Sequence, residues 1–387
     1  MSTNQRILTT HVGSLIRPPE FVALLREKEK GNAVPGFETA LTAAVSKIVQ
    51  EQAAVGIDVV SDGEFGKGIG WEQYVLERLE GFEDRAISKD PEERPPIKPW
   101  GDLARFAEFY AEYWADQKLM EREFVCNAPI RYTGFAALHR DINNLKNAIK
   151  GSSVVDGFLP VAAPASAVAL SPNEYYKTDE EFIFATAQAL REEYKAIIDA
   201  GLCVQIDDAH VPFAYDRMVP PATLEDYRRW AMVRIEALNE ATKGLPEERM
   251  RYHLCWGSWN GPHTGDVPLK AIADLVLKVR VGAYAIEAAN PRHEHEWKVW
   301  KDVKLPEGRK LIPGVISHAT NIVEHPELVA ERIVRFASVV GRENLMAGTD
   351  CGFAQGPFVR RVHPSIMWAK LSALTEGARL ATRELWS

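Results

Sequence analysis

Basic residues are the minority in this 387-residue chain. Its 46 lysines and arginines stand against 54 aspartates and glutamates, a formal charge of −8. Neutralising phosphates needs a basic surface, so no nucleic-acid partner is expected. No apolar run reaches the roughly 18 residues of a membrane-spanning helix, so no membrane partner is expected either. The start, Met1 to Arg6, lacks a charged segment followed by an apolar one, which argues against a secretory signal and for the cytoplasm. Cysteine is scarce: Cys126, Cys203, Cys255 and Cys351 are too few for a disulfide scaffold. In a reducing compartment, a cysteine near a histidine reads as a metal ligand or nucleophile. No G-x-G-x-x-G follows the first apolar run, which speaks against a doubly wound dinucleotide-binding sheet.

What is present is globular in composition, 46% hydrophobic and 26% charged. Short β-rich runs recur near Ile7–Ser14, Ile57–Asp62, Phe158–Pro164, Leu202–Asp207, Arg251–Trp256, Ala283–Glu287, Leu311–Ser317 and Leu345–Asp350. Helical patterns separate most of them. Glu180–Ala200 carries a 3.6-type apolar stripe through Phe182, Phe184, Ala185, Ala189 and Leu190, ended by Gly201; Leu224–Thr242, Leu269–Val279 and Glu327–Val340 behave alike. Strands alternating with helices predict a parallel sheet closed as a (β/α)8 TIM barrel over residues 1–387. About ninety residues separate the second and third runs, far more than an ordinary loop. This stretch holds the charged, proline-rich Asp90–Pro99, an aromatic helix at Phe106–Trp114 and a short strand at Pro129–Thr133. Residues 65–155 are therefore expected to form an insertion that caps the barrel mouth.

The strongest local signal is His253-Leu254-Cys255. Residues two apart on a strand share a side, so both side chains face one way near the strand's C-terminal end, where barrel enzymes place their chemistry. Glu287 ends the next strand, and Cys351 follows the last in Gly348-Thr349-Asp350-Cys351-Gly352. One histidine, two cysteines and a carboxylate suit tetrahedral zinc. A buried cysteine is also a common small core residue, so pattern alone leaves both readings open. Cys203 shares parity with Asp207 and is expected in a lower, filled layer. His293 and His295 flank acids at a helix start, which leaves a solvated or capping role and a catalytic one both open, and Trp256 and Trp259 are expected as pocket floor or packing.

Several motifs occur in an order that resembles one superfamily. They are Thr9-Thr10-His11-Val12-Gly13-Ser14, Asp62-Gly63-Glu64, Gln205-Ile206-Asp207, His253-Leu254-Cys255, Ile286-Glu287-Ala288 and Asp350-Cys351-Gly352. They resemble the catalytic half of cobalamin-independent methionine synthases. The longer runs His253–His263, Pro291–Trp300 and Pro313–Pro326 look closer to epoxyalkane:coenzyme M transferases and their relatives. The resemblance runs from Ile7 to about Ala378. It implies a Zn2+ cofactor on His253, Cys255 and Cys351, with Glu287 as an exchangeable fourth ligand. It implies substrate contacts from Val12, Gly13 and Ser14, and an ammonium grip by Glu64 and Asp207. It makes His318 the candidate acid on the donor side. The implied partners are a small thiol and an alkyl donor, whether methyl-folate, methyl-corrinoid or epoxide.

Two departures bear on the donor. Asp208-Ala209-His210 stands where methionine synthases usually have Glu-Pro after the second carboxylate, and Val315-Ile316-Ser317-His318 replaces the usual Tyr-Asp-Ile-His, shifting the histidine by one place. The leading expectation is thus zinc-dependent S-methyl or S-alkyl transfer to a homocysteine-like thiol. Thiol addition to an epoxide is the alternative. A zinc hydrolase and a non-catalytic zinc protein are the readings from other classes.

Overall fold

The computed structural model describes residues 5–87, 101–115 and 122–387; the Asp90–Pro99 run lies outside them. Ten strands are present among the described residues: β1 (Leu8–Thr9), β2 (Val59–Val60), β3 (Leu79–Ala86), β4 (Arg122–Tyr132), β5 (Asp156–Ala162), β6 (Cys203–Asp208), β7 (Met250–Leu254), β8 (Ala283–Ile286), β9 (Lys310–Ile316) and β10 (Met346–Thr349). Eight form one parallel sheet in the order β1-β10-β9-β8-β7-β6-β5-β2. A parallel bridge from Thr10 to Val59 joins its two ends. Helices surround it, and the fold is a (β/α)8 barrel. No described helix is long and apolar enough to cross a membrane.

The helices begin and end where local chemistry directs. Thr178 caps Asp179–Asp199 by accepting from the Glu181 N–H, with Asp179, Glu180 and Glu181 in the positive first turn. That helix stops before Gly201, whose φ of +84° suits a residue without a side chain. Thr223 and Asp226 form a capping box for Leu224–Ala241.

Inside the barrel, seven strands each place one apolar residue in a floor: Leu8, Val59, Phe158, Cys203, Ala285, Ile312 and Met346. The remaining strand, β7, contributes Arg251, whose guanidinium stacks 3.4 Å from the Phe158 ring centroid and donates to Thr10 and to the His11 carbonyl. Strand parity then sets what stands above this floor. Cys203 leads upward to Gln205 and Asp207, and Arg251 leads to His253 and Cys255.

The first two strands are shorter than the sequence suggests, because their continuing N–H groups turn to side chains. Val12 N donates to Thr349 Oγ1 at 3.2 Å and Gly13 N to His11 Nδ1 at 3.1 Å. Ser61 N donates to Gln52 Oε1 at 3.0 Å. Between β2 and β5, strands β3 and β4 form a separate two-stranded antiparallel sheet. Residues 101–115 lie on the loop after β7: Asp102 accepts from Thr264 N, Tyr110 from Trp259 Nε1 and Tyr113 from Asn260 N.

Candidate metal centre and active-site cavity

At the C-terminal end of the barrel, the ligand atoms of His253, Cys255 and Cys351 all lie within 4.8 Å of one another. The two sulfurs are 3.5 Å apart. His253 is buried, and its ring makes no side-chain hydrogen bond, the Ala285 backbone being the polar group that acts on it. Burial pushes the imidazole pKa down, so the neutral form, the one that ligates metals, prevails. The hydrogen bond to Cys351, then burial, drive the Cys255 thiol well up, and the Gly257 N–H partly offsets them. One imidazole and two sulfurs form a donor set that fits zinc.

Glu287 stands beside this group but outside it. Its Oε1 accepts from Trp256 N at 2.8 Å and its Oε2 from Asn290 Nδ2 at 2.9 Å. Burial raises its carboxyl to about 8; His293 opposes the rise, while Asp350 and Cys351 add to it. Asp350 ties the ends of β8 and β10 together by accepting from Ala288 N at 2.7 Å and Ala289 N at 2.8 Å.

A cavity of about 260 Å³ opens onto His253, Cys255 and Cys351. Its wall includes Val12, Ser14, Glu64 and Asp207, four of the five residues expected to touch substrate. Gly13 is absent from the wall. It supports the turn: at φ +130°, a Cβ there would come within 2.7 Å of the Pro160 side chain. Glu64 adopts a left-handed φ of +64°, a strained backbone for a residue with a side chain. Asp62 Oδ1 accepts from its N–H at 2.9 Å, and Lys67 Nζ lies 3.4 Å from its carboxylate. Asp207 accepts from Gln205 Nε2 at 2.7 Å, and burial lifts its carboxyl to about 7 against the pull of His253.

The histidines differ from expectation. His293 is no exposed cap: it bridges Asp266 at 3.2 Å and Glu296 at 2.8 Å and packs on Trp256. Burial opposes its charge, yet those two hydrogen bonds and the charges of Glu287 and Glu296 together raise it to about 10. The exposed His295 has no such partners. His318 is buried and is not in the cavity wall. Burial first, then the charge of Arg361, push it down to about 3, so it is neutral at pH 7 and not the near-neutral acid its free imidazole suggests. Its ring resonances are therefore expected to stay flat in NMR titrations from pH 8 to 5; a midpoint near 6.5 would contradict the burial. The unfolded chain protonates this ring below about 6.5, so its contribution to stability is lost as pH falls from there toward 3.

Arg217, Glu72 and Arg361 also line the cavity, and motif reading missed all three. Arg361 sits in Arg-Arg-Val-His-Pro ahead of the last helix, a run with no recognisable ligand signature.

The site and fold have relatives. A methionine synthase of Thermococcus kodakarensis is 25% identical over 379 residues, covering 97% of this chain and 94% of that protein. One of Saccharolobus solfataricus is 24% identical over 391 residues, covering 100% and 98%. The structure of a B12-independent methionine synthase from Shewanella sp. W3-18-1, in complex with selenomethionine, superposes with a TM-score of 0.72. It is 20% identical and covers 98% of this chain and 99% of that one, a likeness of fold. The family model described as cobalamin-independent synthase, catalytic domain, matches residues 135–363. That match spans more than half of the sequence and includes His253, Cys255 and Cys351, and the chain belongs to the cobalamin-independent synthase catalytic-domain family.

Proposed function

We propose that this protein transfers a methyl or other small alkyl group to a small thiol bound at His253, Cys255 and Cys351. One observation carries the reading: three buried donors, an imidazole and two thiols, converge at the end of a substrate-sized cavity. These three residues would hold zinc. When bound, zinc supplies the positive charge that keeps a substrate thiol deprotonated at neutral pH. Glu287 would join as a fourth ligand through a lone pair that its bonds to Trp256 N and Asn290 Nδ2 leave over.

The remaining chemistry belongs to the chain. The turn carrying Val12 and Ser14 and the acids Glu64 and Asp207 orient the thiol's carbon skeleton. Residues 101–115, resting on the loop after β7, belong to the insertion that we assign as the cap on the mouth. His318, neutral and outside the cavity wall, does not arrive carrying a proton for the leaving group. The relatives are named methionine synthases, which makes homocysteine the first thiol to test and methyl-folate the first donor.

The test is zinc-edge X-ray absorption of the purified protein with homocysteine and with a thiol-free control, alongside a methyl-transfer assay. About one zinc per chain is expected, with one more sulfur around it once thiol is added. An unchanged metal environment with every thiol would leave a structural zinc site and end the transferase reading.

A further inference from the structure

Two arginines line the cavity, and they differ in how they are balanced. Arg217 faces Glu72, and each of the two feels the other's charge. Arg361 forms no ion pair with any described residue. Its Nη1 reaches the Tyr113 hydroxyl at 3.4 Å and its Nη2 reaches Ser258 Oγ at 3.3 Å, both long contacts to neutral oxygens. Its Nε is buried and makes no hydrogen bond. The backbone fixes the residue, since Arg361 N donates to the Phe353 carbonyl at 3.1 Å.

The surroundings are arranged to receive an anion. Ser258 and Tyr113 each accept from Arg361, and neither hydroxyl donates to a described residue. A hydroxyl that accepts still has its own proton to give. The guanidinium and two hydroxyls thus offer several donors in one place, and the planar fork matches an acid group. The charge is felt in the interior, because it is the next cause after burial of the low proton affinity of His318. Ser258 adjoins Gly257, whose N–H donates to Cys255 Sγ at 3.3 Å. By backbone spacing, the fork therefore lies within about 10 Å of that sulfur. A chain of two to four carbons spans such a gap.

We infer that Arg361, with Ser258 and Tyr113, is an anion subsite that takes the carboxylate or sulfonate of a short ω-mercapto acid whose sulfur lies at the Cys255–Cys351 end. This rests on the thiol reading above, and the test separates the two. Calorimetry on the zinc-loaded full chain compares 3-mercaptopropionate, 3-mercaptopropanol, 3-hydroxypropionate and 1,3-propanediol. Acid against alcohol reads Arg361; sulfur against oxygen reads the thiol site. The wild type should favour each acid over its alcohol by about 10- to 100-fold, the scale of a charge-assisted hydrogen bond. Arg361→Gln should shrink that ratio to within about threefold while leaving the sulfur preference intact, and Arg361→Lys, which retains the charge, should keep part of it. No acid preference in the wild type, or the full preference in Arg361→Gln, overturns the subsite. An acid preference without a sulfur preference overturns the thiol reading instead, and mercapto acids with it.

Discussion

Cys351→Ala is expected to strip the protein of its metal, whereas Cys126→Ala keeps it. Both cysteines are buried and free, so burial does not distinguish them. Their neighbours do. Cys351 Sγ lies 3.5 Å from Cys255 Sγ and within reach of His253, while Cys126 Sγ lies 3.6 Å from the Ala128 carbonyl in the β3–β4 sheet. Structural zinc sites bind with about 10–16 kcal/mol shared among four ligands, so removing one should weaken affinity by roughly 10²–10³-fold. Elemental analysis after dialysis against a weak chelator should find near-stoichiometric zinc in Cys126→Ala and little in Cys351→Ala. Thiol alkylation should fall in parallel, by at least about 10³-fold, since the substrate thiol loses the charge that keeps it ionised. Equal metal in the two variants would remove Cys351 from the site.

Much of this site was legible because strand parity is a strong constraint. Cys203, Gln205 and Asp207 climb one face of β6, and Arg251, His253 and Cys255 climb one face of β7. A reader counting by twos places the sulfur and the imidazole together. Cys351 is a harder case. Counting by twos from the floor residue Met346 sends it to the other side. The register of β10 on β9 shifts between Gly348 and Thr349, and Cys351 lies beyond the end of the strand. Parity does not govern it there. Its place near Cys255 was legible from its position after the last strand, across the barrel mouth, and from the resemblance of Asp350-Cys351-Gly352 to a known motif, not from parity.

The less legible parts depend on partners far away in sequence. His293 becomes a charged, buried bridge because Asp266, 27 residues earlier, reaches its Nε2. The low proton affinity of His318 comes from complete burial and from Arg361, neither of which its local sequence announces. Glu64 was expected to face an ammonium group, but Lys67 already lies beside its carboxylate at helical spacing, a pair that Glu-Phe-Gly-Lys does display. Arg361 carries no motif, and its importance appears only once the fold leaves it without a carboxylate.

Arg78→Met is the substitution expected to cost the most stability, about 3–5 kcal/mol, the usual result of leaving buried charges uncompensated. Arg78 lies at the start of the insertion, with Nη1 on Glu193 at 2.7 Å and Nη2 on Asp141 at 2.6 Å, all three side chains buried. Tyr74 donates to the second oxygen of Glu193 and lies under both the Arg78 guanidinium and the Lys67 ammonium. Lys67 in turn pairs with Glu64, so one buried network runs from the helix Asp179–Asp199 to the cavity wall. Methionine fills the volume of the arginine stem but leaves Glu193 without its cation and Asp141 with Arg140, at 2.8 Å, as its remaining charge partner. If charge is the cause, adding Asp141→Asn and Glu193→Gln to Arg78→Met should restore most of the lost stability, because neutral amides carry no such penalty. Urea unfolding midpoints of the wild type, single variant and triple variant make the comparison. A triple variant as unstable as the single one would mean that arginine's packing and hydrogen bonds matter more than its charge. A single variant within about 1 kcal/mol of wild type would place the cluster in water, where such pairs contribute little.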